Sequence, residues 1–400
     1  MIRSIIRAES FAIAVGGRFL RFREAEKTVG AGSRREIPGL LKKMGVSKVM
    51  VVTGRHVGKT LAPEIIDAIR AAGIDAVHFS DVTANPTSDT VYTIRDRYLS
   101  EGCNGFLAIG GGSPIDAAKG AACLCVRKRA TLNDLGGLLR VLRPIPPFIA
   151  VPTTSGTGSE TTMAAVITDS QTRHKYAIMD PIIIPHRAVL DPELVMGLPR
   201  GTTAATGMDA LTHAVESYIS VMNKPKKSAR YAEEATVLIF RYLERAYRDG
   251  GDVEAREKLM EAAYKAGWSF GRTGVGNVHA IAHTLGGLYD TPHGLANAVI
   301  LPVVLEDYGE AVHKPLARLA ELTGVRTAGT DREKAEAFIA EIYAMNERMG
   351  IPRGFDCIKL RDIPQMCAWA EAEANPVYPV PVIYDKAHME KIIRLLKNRG

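Results

Sequence analysis

The sequence lacks a long hydrophobic run. No apolar stretch in its 400 residues reaches the roughly 18 residues that a membrane span needs, so we expect no membrane partner. The basic N-terminal stretch also lacks a clear small-residue cleavage site, and its short apolar part is interrupted by Arg7, Glu9 and Ser10. We therefore expect no signal peptide, and a short extra strand or hairpin over residues 1–26 fits better.

Cysteines are also few, and their number, five, is odd and without zinc-ribbon spacing. Cys123 and Cys125 fall in an apolar helical stretch, which predicts buried free thiols. Reduced cysteines without a targeting signal predict a cytoplasmic protein. The net charge of +7 comes from scattered residues that form no basic stripe interleaved with aromatics, so we expect no nucleic-acid partner.

What the sequence does have is a globular composition, with 46% hydrophobic and 24% charged residues over a length typical of two or three domains. Its first half alternates short apolar runs with helical segments. Strands are predicted at 47–54, 75–82, 105–112 and 147–156, and helices at 60–73, 88–101 and 114–126. This alternation indicates βαβ units and a mostly parallel sheet.

After about residue 198 the apolar residues recur at three- and four-residue spacing, and strand signals disappear. We therefore predict two domains. Residues 1–196 are expected to form an α/β domain, and residues 197–400 are expected to form an all-helical domain.

A glycine-rich turn, Gly110–Gly112, follows one predicted strand and precedes a helix. Glycines let a phosphate approach the backbone, and a helix N-terminus suits a pyrophosphate. Ser113 is predicted to be the N-cap, with Pro114 in the first turn and Asp116 completing a capping box. Since a carboxylate this near would repel a phosphate, we expect the role of Asp116 to be structural or indirect. A tight turn without a ligand explains the glycines about equally well.

A second polar loop, 151–160, follows the next predicted strand and carries the hydroxyls of Thr153 and Thr154. Open α/β sheets bind ligands at the carboxyl ends of their strands. Two such loops at one edge of the sheet predict a nucleotide site.

The helical half carries a stronger signal. Asp209 and His213 are four residues apart and share a helix face, as do His279 and His283, and His293 follows in a turn. Buried without partners these groups would cost several kcal/mol, and a divalent cation removes that cost. One carboxylate with imidazoles suits Fe²⁺, Zn²⁺, Co²⁺ or Ni²⁺. The spacing leaves open which of the three later histidines bind it.

Four segments together, GGGSPIDAAKG, VPTTSGTGSE, TGMDALTHAVESY and VHAIAHTLGGLYDTPHG, resemble the iron-containing (group III) alcohol dehydrogenases, from about residue 27 to the C-terminus. The resemblance implies a dinucleotide-binding domain, a helical domain and a site between them. It implies a metal, Fe²⁺ first and Zn²⁺ as the alternative, bound by Asp209, His213, His279 and His293. His283 then matches a non-ligand histidine near the nicotinamide.

The resemblance also implies a set of residues that line the site of NAD or NADP: Asn85, Gly111, Gly112, Ser113, Thr153, Thr154 and Lys175. Two positions depart from the family pattern. Gly54 replaces an acidic residue at the end of the first strand and is followed by Arg55, which predicts tolerance of NADP. The segment 371–383 lacks the cysteine that relatives tend to carry before Asn-Pro, which leaves the substrate preference open.

The expected function is hydride transfer between a primary alcohol or diol and NAD(P), with His283 relaying a proton. The alternatives are a polyol dehydrogenase, a lyase resembling dehydroquinate synthase, and a metal-binding protein without turnover. A homodimer is expected by resemblance alone.

Overall fold

The computed structural model describes residues 6, 7, 9, 22–172, 175–221 and 224–400, which form two compact units. The first unit is Arg21–Gly197, and the second is Leu198–Gly400 together with residues 6, 7 and 9. The strand or hairpin predicted over 1–26 lies largely outside the described residues, and the first described strand begins at Glu26.

The first unit contains strands and helices in alternation. Its strands are β1 (Glu26–Val29), β2 (Lys48–Gly54), β3 (Asp75–Val82), β4 (Gly105–Gly110), β5 (Gly137–Leu138), β6 (Phe148–Pro152), β7 (Ala164–Thr168), β8 (Lys175–Met179) and β9 (Arg187–Leu190). Its helices are α1 (Ile37–Lys43), α2 (Arg55–Thr60), α3 (Ala62–Ala71), α4 (Ser88–Ser100), α5 (Gly112–Val126) and α6 (Leu132–Leu135).

Six strands form one parallel sheet in the order β1-β9-β6-β4-β2-β3. Alternate residues of one strand enter different cores: Val49 and Val51 pack on one face, and Met50 and Val52 on the other. Because both faces are covered, the strands are apolar throughout, as the sequence indicated. A smaller sheet, β5-β8-β7, contains the antiparallel pair β7–β8.

The second unit is helical, and its described residues contain no strand. Its helices are α7 (Arg200–Ile219), α8 (Lys226–Arg248), α9 (Val253–Thr273), α10 (Asn277–Tyr289), α11 (His293–Tyr308), α12 (Glu310–Thr323), α13 (Asp331–Arg348), α14 (Ile363–Ala374) and α15 (Lys386–Asn398). One continuous core joins α7 to α15. The predicted fold class, a parallel α/β unit followed by a helical one, is confirmed.

Within the described residues, no helix has the length and apolarity to cross a membrane. All five cysteines are free, and Cys123 and Cys125 are buried as predicted.

Candidate active site

The two loops predicted to bind a nucleotide lie side by side at the carboxyl edge of the large sheet. Strands β4 and β6 are neighbours with Gly110 opposite Pro152, and the amide of Thr153 donates to the carbonyl of Gly110 at 2.9 Å. A Cβ atom at Gly112 would stand 2.9 Å from the Thr157 side chain, so only glycine allows the loops to approach this closely.

Two further cofactor residues of the prediction follow the next strands along the same edge, and a third contacts one of them. Gly54 ends β2, and Asn85 follows β3 in a left-handed conformation with φ of 55°. Lys175, at the start of β8, donates from Nζ to Oδ1 of Asn85 at 2.7 Å. Apart from Lys175, these residues therefore lie at the ends of four neighbouring strands, β6, β4, β2 and β3.

The predicted capping box is wrong. Helix α5 begins two residues earlier than predicted, at Gly112, so Gly111 is its N-cap and Ser113 lies inside the helix. The carboxylate of Asp116 instead accepts from Ser159 Oγ at 2.5 Å and from the amide of Val166 at 3.0 Å. These two contacts fit the structural or indirect role that was expected of Asp116.

The side chain of Lys119, on α5, connects that helix to the polar loop 151–160 and to the residues that follow it. The side chain is fully buried, and its Nζ donates to the carbonyls of Ser159 (2.7 Å), Thr162 (3.0 Å) and Ala164 (2.9 Å). Burial lowers the pKa of Lys119 to about 8, while Asp116 and Glu160 act in the opposite direction. A buried ammonium with three donors and three backbone acceptors fixes the path of the loop.

Replacing Lys119 by methionine should destabilise the first unit strongly. Three backbone carbonyls would lose their donor, and each buried polar group left unsatisfied costs about 1–3 kcal/mol. For a unit of this size that corresponds to a melting temperature lower by roughly 10 °C in calorimetry. Lys128→Met, an exposed lysine just beyond the same helix, is the control. Equal melting temperatures of the two variants would contradict this assignment.

The end of β2 carries no carboxylate of its own, as the sequence showed, but the neighbouring strand supplies one. Arg55 Nε donates to Asp81 Oδ1 at 2.8 Å, and both side chains are largely exposed, at 74% and 62%. An exposed pair of this kind is worth only about 0–1 kcal/mol. Arg55 can therefore leave Asp81 for a stronger anion at little cost.

Gly54→Asp should shift cofactor selectivity towards NAD. The backbone at Gly54 is extended, so a side chain is tolerated, although its Cβ would stand 3.1 Å from the Val82 carbonyl. A carboxylate facing a 2′-phosphate costs several kcal/mol, which predicts about a 10- to 100-fold change in the ratio of kcat/KM for NAD over NADP. Gly54→Asn has the same size without the charge. An equal shift in both variants would show that charge is not the cause.

In the helical unit, Asp209, His213, His279 and His293 converge. One donor atom from each of the four lies within 4.8 Å of the others, and all but His293 are buried. Asp209 and His213 lie on α7, His279 on α10, and His293 at the first residue of α11. A Cβ atom at Gly294 would stand 2.4 Å from the Ala205 carbonyl, so this glycine lets the start of α11 press against α7 beside Asp209.

The side-chain amide of Asn297 faces three possible hydrogen-bond acceptors of this group. Its Nδ2 lies 2.7 Å from Asp209 Oδ1 and 3.1 Å from Nε2 of both His279 and His293. An amide has two N–H donors, so three acceptors compete for them. Burial raises the pKa of Asp209 and lowers that of His279 well below its usual value. One small cation with metal–ligand distances of about 2.0–2.2 Å suits these donors.

A buried glutamate orients one of these histidines. Nδ1 of His279 lies 2.6 Å from Glu216 Oε2, and the amide of Val278 donates to Oε1 at 2.9 Å. Burial raises the pKa of Glu216 to about 8. When Nδ1 donates to the ionised glutamate, the lone pair lies on Nε2, an arrangement common around metal-binding histidines.

His283 lies beside the group but outside it. Its ring stacks on that of His293, with centroids 5.1 Å apart, and its Nδ1 contacts Glu373 Oε1 at 2.6 Å.

Sequence reasoning missed Glu216, Asn297 and Glu373. Two of them had a detectable signal: Glu216 follows Asp209 by seven residues, and Asn297 follows His293 by four, both on the same helix face. Glu373 gave no such signal, since it is 90 residues from its partner His283.

Family models match both parts of the chain. Residues 25–192 match the model for iron-containing alcohol dehydrogenase, and residues 203–398 match the C-terminal model of the Fe-containing alcohol dehydrogenase family. The chain belongs to the iron-containing alcohol dehydrogenase family. It is therefore an oxidoreductase of a family whose metal site is built from aspartate and histidine.

Comparisons with individual proteins support the same family assignment. The chain is 39% identical to the NAD-dependent methanol dehydrogenase of Bacillus methanolicus, over 82% of this chain and 86% of the relative. It is 38% identical to the 1,3-propanediol dehydrogenase of Citrobacter freundii, over 84% and 87%. Among solved structures, an alcohol dehydrogenase from Oenococcus oeni superposes with a TM-score of 0.90 at 32% identity, covering 94% of this chain and 99% of that one.

Proposed function

We propose that this protein interconverts primary alcohols or diols and their aldehydes with NAD or NADP. The observation that supports this most directly is the convergence of one ligand atom from each of Asp209, His213, His279 and His293 within 4.8 Å of one another. These four residues would hold the divalent ion, Fe²⁺ first and Zn²⁺ as the alternative. When bound, the ion supplies Lewis acidity that lowers the pKa of an alcohol hydroxyl, and the nicotinamide supplies a hydride acceptor.

The chain's own residues would orient the metal ligands and transfer the hydroxyl proton. Glu216 keeps the lone pair of His279 Nε2 pointed towards the other ligands, and Asn297 holds Asp209. His283 takes up the hydroxyl proton in oxidation and returns it in reduction, since imidazole exchanges protons near neutral pH. Per turnover, the alcohol loses one proton to this histidine and one hydride to the nicotinamide.

In the first unit, the residues at the carboxyl edge of the large sheet would hold the cofactor. Gly111, Gly112 and Ser113 start α5 and offer backbone N–H groups to a pyrophosphate, while Thr153 and Thr154 offer hydroxyls. Tolerance of NADP, from the missing acid at Gly54, and a homodimeric assembly remain predictions.

The test is a turnover assay without oxygen. The protein is loaded with Fe²⁺ or Zn²⁺, offered NAD⁺ or NADP⁺ with alcohols that include methanol and 1,3-propanediol, and followed by nicotinamide absorbance. Reduction of the cofactor with at least one alcohol is expected. Tight metal binding without turnover for any pair would instead favour a metal-binding protein that has lost catalysis.

A further inference from the structure

A three-residue hydrogen-bonded chain ends on His283. Oε1 of Glu373, near the end of α14, contacts His283 Nδ1 at 2.6 Å and accepts from the hydroxyl of Tyr378 at 2.7 Å. Both bonds meet on one oxygen atom. Tyr378 is five residues from Glu373 and reaches back to it, whereas His283 comes from α10.

This arrangement defines which nitrogen of His283 carries the proton. A carboxylate is an acceptor only, so the Nδ1 that faces it must be the N–H donor. Burial and the neighbouring Glu373 raise the pKa of Tyr378 well above its usual value, which keeps its hydroxyl a donor to the same oxygen. Hydrogen bonds to a charged acceptor are about twice as strong as neutral ones, so the ring orientation is firmly held.

The other contacts of His283 leave one edge available. One face of the ring lies against His293 at an interplanar angle of 19°, and the Nδ1 edge is engaged by Glu373. Within the described part of the chain, Nε2 of His283 makes no hydrogen bond, and the side chain is 15% exposed. Nε2 is therefore the nitrogen at which a proton can be exchanged with a small molecule.

We propose that Glu373, held by Tyr378, is a positioning residue that fixes the ring orientation and the Nδ1–H tautomer of His283, so that Nε2 carries the lone pair presented to the alcohol. This rests on the proposed function, in which His283 moves the hydroxyl proton. Glu373 touches neither the four converging ligands nor, in this proposal, the substrate. It acts through the imidazole alone.

Helix α14 offers a matched control. Glu371 lies two residues before Glu373, is also half-buried, and accepts a hydrogen bond from the amide of Lys386 at 3.2 Å. Glu371→Ala thus removes the same side chain from the same helix without touching His283. Glu373→Gln is the conservative variant, because its amide oxygen can still accept from both His283 and Tyr378.

The first measurement is independent of turnover. In Zn²⁺-loaded protein labelled with ¹⁵N-histidine, the His283 signals are assigned by their loss in His283→Ala. We expect the Nδ1–H tautomer in the wild type, in Glu373→Gln and in Glu371→Ala, and a mixture of tautomers in Glu373→Ala. The Nε2–H tautomer in the wild type, or an unchanged tautomer in Glu373→Ala, would overturn the proposal.

The second measurement is kinetic. Glu373→Ala should lower kcat about 10- to 100-fold, by analogy with the loss that follows when a metal-binding histidine loses its hydrogen-bonding partner. The KM for the alcohol and the affinity for Zn²⁺ should change by no more than about twofold, as for a surface substitution. Glu373→Gln should restore most of kcat. A loss of Zn²⁺ affinity that parallels kcat, or an equal loss in Glu371→Ala, would refute a positioning role. If the wild type turns over no alcohol, the proposed function fails, and the tautomer result still decides the role of Glu373.

Discussion

Asp209→Asn is expected to abolish metal binding and turnover together while leaving the metal-free protein at least as stable as the wild type. Asp209 is almost fully buried, and burial raises the pKa of its carboxyl, so the charge is costly in the absence of a cation. Its nearest donor is one amide, Asn297 Nδ2, at 2.7 Å. Replacing the carboxylate by an amide of the same shape removes that cost and also removes the anionic ligand.

The effect on affinity should exceed the roughly 10- to 100-fold that follows from losing a hydrogen-bonding partner outside the ligand set. A convenient measurement is the rise in unfolding free energy on adding Zn²⁺. A ligand at 100 times its Kd stabilises by about 2.7 kcal/mol. The wild type and Asp356→Asn, an exposed aspartate of the same unit, should show this rise, and Asp209→Asn should show none at the same concentration. An unchanged rise in Asp209→Asn would remove the metal site from this position.

The elements that sequence reasoning predicted best are those whose residues interact with near neighbours in the chain. Strands β2, β4 and β6 are continuous apolar runs because both faces of the sheet are covered, and such runs are recognisable without any partner. Helix α2 (Arg55–Thr60) was missed, since RHVGKT is polar and contains a glycine. The small sheet was missed because its strands have two to five residues and are partly exposed.

The same distinction separates the predicted part of the site from the missed part. Asp209 with His213 was visible because helical spacing of four places both on one face. The capping box at Ser113 and Asp116 satisfied the sequence rule, but the Asp116 carboxylate binds other donors in the folded chain. These donors, Ser159 Oγ and the Val166 amide, lie 43 and 50 residues from Asp116 in the sequence. Glu373 and Tyr378 reach His283 only through the packing of α14 on α10, which no local pattern specifies.

The same contacts distinguish His283 from its three histidine neighbours. His213, His279 and His293 each belong to the group of four donor atoms, whereas the hydrogen bond at Nδ1 of His283 leads away from it, to Glu373. A residue that supports metal binding and a residue that moves a proton respond differently to removal. The first alters the affinity for the ion, and the second alters kcat alone.

His283→Ala is accordingly expected to lower kcat by about 10²- to 10⁴-fold, the range that general acid–base catalysis supplies, with Zn²⁺ affinity within about twofold of the wild type. Removing the ring leaves space beside His293 and Glu373, so added imidazole should restore part of the activity in proportion to its concentration. His313→Ala, a half-buried histidine on α12, is the control and should change neither quantity. Full kcat across pH in His283→Ala with metal retained would exclude the relay. A loss of Zn²⁺ affinity that parallels the loss of kcat would make His283 a support of the metal ligands instead, because a proton carrier contributes to the reaction but not to metal binding.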